Sequence, residues 1–194
     1  MTSTDLSSAA LDVALRADAG SLRHANVAFA RRYPGEIAAR QPVHTVYGGA
    51  QLFRPDIAQR LGAVALRTLE EYAPTSSELG DALRIGDHPA LATIHARVRD
   101  KLQREPVEDF RIDFEDGYGN RPDSEEDEHA VAVGEALAEA MEKKTLPAFN
   151  GIRIKPLNEE LRGRSIRTLG LVLSTLVQRA RRLPERFVVT IPKV

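Results

Sequence analysis

The sequence contains no cysteine. Disulfides, thiolate zinc sites, iron–sulfur clusters and cysteine nucleophiles are therefore excluded. No apolar run approaches the ~20 residues needed to cross a bilayer, which excludes a membrane-spanning helix. There is also no charge of one dominant sign: 27 Lys and Arg stand against 28 Asp and Glu, a net charge of -1. Such a chain has no overall field to draw in nucleic acid or an acidic membrane. Residues 1–5 are polar and lack the basic and apolar regions of a secretory signal, so a cytoplasmic location is expected. Fixed-period repeats and long Gly/Ser or Pro-rich linkers are missing, as are the glycine patterns of nucleotide-binding loops and the paired histidines of helical zinc enzymes.

What is there is a soluble globular composition, 42% hydrophobic and 28% charged over 194 residues, enough for one ordinary domain. The first forty residues carry helical spacing in Leu11, Val13 and Leu15 and then Leu22, Val27 and Phe29, interrupted by Gly20 and Pro34. Two or three leading helices are expected, forming an extension over 1–40 before a main domain over 41–194. Residues 42–47 are rich in β-formers and run into Gly48 and Gly49, a first strand ending in a loop. Ile57, Leu61, Val64 and Leu69 have helical spacing, and a further helix is expected over 89–102.

Second, third and fourth strands are expected over 110–116, 151–155 and 187–191, with helices over about 122–143 and 169–183 between them. Strands alternating with helices at this spacing imply right-handed βαβ units and a parallel α/β sheet.

Side chains alternate across a strand, so Arg111, Asp113 and Glu115 share one face while Ile112 and Phe114 take the other. Arg153 and Lys155 alternate likewise with Ile152 and Ile154. Ionised groups on a covered sheet face cost several kcal/mol unless paired. Their convergence points to the interior of a barrel, whose active sites lie at the C-terminal strand ends.

Three segments, RIDFEDG at 111–117, GIRI at 151–154 and VTIPKV at 189–194, look like successive landmarks of the HpcH/HpaI aldolase and citrate lyase beta-subunit family, within the phosphoenolpyruvate/pyruvate barrel superfamily. The continuation YGNRPDSEEDEH at 118–129, with HTVYGG at 44–49 upstream, is similar to an aldolase-like branch of that family. The resemblance spans roughly 43–194 and covers the first half of a barrel.

It implies a partial (β/α)8 TIM barrel of about four βα units. It also implies a carbon–carbon lyase acting on a 2-oxo acid or an acyl-coenzyme A thioester through a magnesium-stabilised enolate. By position, Glu115, Asp116 and Asp113 take the place of acids that order water on the metal and assist proton transfer. Arg153 takes the place of the arginine that holds a substrate carboxylate, with His44, Gly48 and Gly49 beside the substrate. The family's direct magnesium ligands lie on strands after the VTIPKV landmark, so they are expected beyond residue 194. Alone, the chain is then expected to be an inactive fragment, with a homo-oligomer expected for the complete enzyme.

Plainer readings stand beside these. The acids can cap a helix or be solvated, Arg153 can simply neutralise them, and glycines after a strand can simply turn the chain. Lys155 and Arg111 can snorkel to solvent, and His129 can pack in the core. The acidic run 124–128 reads as a solvated helix start. A non-catalytic remnant or interaction module, or a phosphoenolpyruvate-using enzyme of the same superfamily, are the rival functions.

Overall fold

A computed structural model describes residues 8–35 and 39–193. The chain divides into two compact units, residues 1–41 and 42–194. Among its described residues the first contains one helix, α1 (Ser8–Arg32). It runs through Gly20, where two or three shorter helices were expected. One glycine costs a helix only about 1 kcal/mol, and the surrounding Ala, Leu and Arg are strong helix formers that offset it. The side chains of Leu11, Val13 and Leu15 lie outside the described residues.

The second unit holds β1 (Thr45–Gly49), α2 (Ile57–Tyr72), α3 (Ser76–Leu83), α4 (Leu91–Arg104), β2 (Asp109–Asp113), α5 (Asp123–Lys143), β3 (Phe149–Arg153), α6 (Arg162–Ala180) and β4 (Phe187–Thr190). A 3-10 turn over Ala50–Leu52 follows β1. Among the described residues the architecture is mixed α/β, with six helices and one four-stranded sheet.

The strands are parallel and ordered β1-β2-β3-β4, so each is hydrogen-bonded to its predecessor. Register pairs Ile112 with Ile152 and Asp113 with Arg153. Paired residues point the same way, which gives the sheet two unlike faces. One carries Ile112 and Ile152 into the core with Leu137 of α5 and Val172 and Leu176 of α6, all at most 1% exposed. Each such aliphatic side chain contributes roughly 1.5–3 kcal/mol through its burial. The other face carries Asp109, Arg111, Asp113 and Arg153.

Helices α5 and α6 pack closely, since a Cβ on Gly134 would stand 2.7 Å from Thr175 Cβ and 2.9 Å from the Val172 carbonyl oxygen. The sequence pattern does not reveal α3. Its start is marked by a capping box in which Glu78 N donates to Thr75 Oγ1 and Thr75 N donates to Glu78 Oε2. No helix of the described residues is long and apolar enough to cross a membrane.

Candidate functional site

The charged face of the sheet is built from ion pairs. Near the N-terminal ends of the strands, Arg111 donates from Nε and Nη2 to Asp109, which is 1% exposed and also accepts from Thr45 Oγ1 at 2.9 Å. At the C-terminal ends, Asp113 is equally buried and accepts four hydrogen bonds. Two come from Arg153, Nε to Oδ1 at 2.8 Å and Nη2 to Oδ2 at 2.6 Å. Two come from the loop after β2, Glu115 N to Oδ1 at 2.8 Å and Gly117 N to Oδ2 at 2.7 Å. Burial alone would push this carboxyl up. The Arg153 fork and the two backbone N–H groups outweigh it and hold the carboxyl below its ordinary range.

Arg153 has other partners. Its Nη1 lies 3.4 Å from Glu115 Oε2, its Nη2 lies 3.7 Å from Asp116 Oδ2, and its guanidinium sits 4.5 Å from the Tyr47 ring centroid. The hydrogen bonds with Asp113 raise its pKa further above the normal arginine value.

Lys193 approaches from beyond β4. Its ammonium pairs with Glu115 and stands 3.3 Å from Asp116 Oδ1, contacts that hold it above the usual lysine range, Glu115 having the larger effect. The Glu115 carboxylate is buried between the two cations, with Oε1 toward Lys193 and Oε2 toward Arg153. Asp116 is largely exposed.

Beside this cluster lies a cleft of about 290 Å³, bordered by Glu115, Asp116, Asn120, Lys155, Leu161 and Lys193. The structure therefore brings Asp113, Glu115, Asp116 and Arg153 together at the C-terminal strand ends. It does not bring His44 there: this residue precedes β1, and its Nε2 accepts from Glu108 N at 3.4 Å at the opposite end of the sheet. A parallel strand carries its first and last residues to opposite edges, so a histidine at its start cannot join a site at its end.

Gly48 and Gly49 close β1 on the correct edge, but they serve close packing. A Cβ on Gly48 would meet the Phe110 ring at 2.6 Å, and one on Gly49 would meet the Gly117 carbonyl oxygen at 2.3 Å. The absence of a side chain at Gly48 leaves room for the Phe110 ring, and its absence at Gly49 lets β1 lie against the loop that carries Glu115 and Asp116.

Sequence reasoning missed Glu126. It belongs to the acidic run expected to be solvated, yet it is 1% exposed. Its Oε2 accepts from Lys155 Nζ at 2.7 Å and its Oε1 from Thr168 Oγ1 at 2.6 Å. The signal was in the spacing, because Glu126, Ala130, Val133 and Leu137 form one helical stripe and all are buried. Asp127, beside it, is held low by Arg167 and then Arg164. His129 Nδ1 is 2.8 Å from the Tyr118 hydroxyl. Burial pushes Tyr118 up to about 12, with the Glu126 charge adding to it.

Among the described residues no three His, Cys, Asp or Glu gather closely enough to hold a metal ion. Glu115 and Asp116 offer acceptors that already face cations, so these residues do not by themselves fit an inner magnesium shell.

A family model described as a domain of unknown function (DUF6986) matches residues 22–194, which include all four strands and the cleft. The chain belongs to this family. No curated protein and no solved structure matches it. In this DUF6986 chain the whole acid–arginine cluster falls inside the matched span.

Proposed function

We propose that this DUF6986 chain forms the carboxylate-binding, acid-bearing part of a carbon–carbon lyase on a (β/α)8 barrel, acting on a 2-oxo acid or an acyl-coenzyme A thioester. The barrel reading is supported by strand order. An open doubly wound sheet reverses direction at a switch point, whereas consecutive parallel strands with right-handed crossovers keep the helices on one side. The opposite face here is charged, as suits an interior that opens into a site.

The observation that carries the function is the meeting of Arg153 and Lys193 with Glu115 and Asp116 around a cleft at the C-terminal strand ends. In this reading Arg153 and Lys193 orient a substrate carboxylate, while Glu115, within reach of both, holds or releases a proton at the carbon that becomes nucleophilic. Asp113 holds Arg153 and the acid loop in place. Magnesium is the cofactor that the resemblance to the HpcH/HpaI and citrate lyase family implies. The described residues do not fit its inner shell, and no step is assigned through it. A cytoplasmic location and homo-oligomeric assembly are further expectations of the same reading.

One observation favours the rival reading of a non-catalytic module: Asp113 already fills two donors of the Arg153 fork. The two readings separate in an assay of the full-length protein with a panel of 2-oxo acids and acyl-coenzyme A thioesters, with magnesium present. The lyase reading expects cleavage products, lost about 100-fold or more in Glu115→Gln. No cleavage of any member of the panel would give the rival the lead.

A further inference from the structure

We infer that Lys155 contacts the occupant of the cleft, donating an N–H that the protein leaves open to an acceptor oxygen of a small carboxylate. This inference rests on the preceding reading and adds to its binding site a residue the resemblance does not single out. Lys155 lies two residues past the end of β3, its side chain is 10% exposed, and it borders the cleft with Glu115, Asp116 and Lys193. An ammonium has three N–H bonds. Two are used by the protein, one on the Phe114 carbonyl oxygen at 2.9 Å and one on Glu126 Oε2 at 2.7 Å. The Tyr118 ring, 5.0 Å from Nζ, backs the ammonium without offering a conventional acceptor.

This ammonium is held from several sides. Glu126 is fixed by Thr168 Oγ1 and faces Arg164 Nε at 3.4 Å, so it is anchored to α6 as well as to its own helix. The Lys155 backbone is fixed too, because Ser165 Oγ donates to its carbonyl oxygen at 2.8 Å. A donor positioned this firmly loses little entropy when a ligand arrives, which is the condition for a specific contact. With Lys193 on the same cleft, the arrangement suits a ligand with two adjacent oxygen acceptors, as in the carboxylate and keto oxygens of a 2-oxo acid.

Oxalate, which presents two such groups, is the probe. The full-length protein is titrated with oxalate, with and without magnesium, by calorimetry, while the lysine side-chain ammonium resonances are followed by nitrogen-15 NMR. We expect the Lys155 resonance to shift with saturation. We also expect affinity to fall about tenfold or more in the double variant Lys155→Met/Glu126→Gln, which removes both buried charges together, and to stay constant in the surface variant Lys143→Met. Should the double variant not fold, the wild-type resonance decides. If oxalate binds and Lys193→Ala weakens it, while Lys155 neither shifts nor matters, the inference is overturned and the carboxylate-binding reading stands. If wild-type protein binds no oxalate under either condition, that reading fails and the inference fails with it.

Discussion

Asp113 holds two different things with one carboxylate, the Arg153 guanidinium and the backbone of the loop bearing Glu115 and Asp116. Its depressed pKa has a definite consequence for stability. A carboxyl lowered on folding stabilises the protein above its unfolded value, about 3.9, and loses that contribution as pH falls through the folded value. Asp113→Asn is therefore expected to lower stability by about 2 kcal/mol at pH 7. The gap from wild type should narrow as pH falls below about 4 in urea titrations, and a gap that stays constant with pH would contradict the assignment. At this scale the sequence was legible where alternation ruled: Arg111 and Asp113 do share a face. It was not legible for Asp109, the buried partner of Arg111, because a strand's first residue cannot be told from the loop before it until pairing fixes the boundary. Nor did residue type reveal that Glu126 turns inward, since an acid in a first helical turn has a sufficient reason to be there in the helix dipole alone.

At the scale of elements, alternation and helical spacing located all four strands and, apart from α3, the helices between them, with ends displaced by a few residues. The third strand begins at Phe149 rather than 151, and α6 begins at Arg162 rather than 169. Helix α3 escaped because eight residues are too few to display a periodic apolar face, although its Thr75–Glu78 capping box is written in the sequence. The contact between α5 and α6 gives a contrasting pair of substitutions. Gly134 faces Thr175 and the Val172 carbonyl with no room for a methyl group, whereas Gly170, inside α6, has nothing within 4 Å. Gly134→Ala is expected to destabilise by about 1–3 kcal/mol through overpacking. Gly170→Ala should stabilise by roughly 0.5–1 kcal/mol through helix propensity alone. Thermal unfolding of the two variants checks both signs.

On the scale of the whole molecule, β2 and β3 are flanked on both sides while β1 and β4 each have one partner strand. Residues Val188 and Val189 of β4 remain more than a third exposed, and Ile112 and Ile152 are closed off. Native-state hydrogen exchange should follow this order, with the amides of Ile112 and Ile152 among the slowest and those of β4 exchanging about tenfold sooner or more. Equal protection across the four strands would show that the edges are covered in solution. The parallel run of the strands was legible in the strand–helix spacing of the sequence, while their order and the match of Asp113 to Arg153 across neighbouring strands were not, because order and register are properties of paired chains. That cluster also has an arithmetic of its own. Three carboxylates, Asp113, Glu115 and Asp116, surround two cations, Arg153 and Lys193, while Lys155 and Glu126 cancel each other. One negative charge is left over among these seven groups, so an anion that entered the cleft would meet a repulsion relieved by a proton or a cation taken up with it, and its affinity would then depend on whatever supplies that charge.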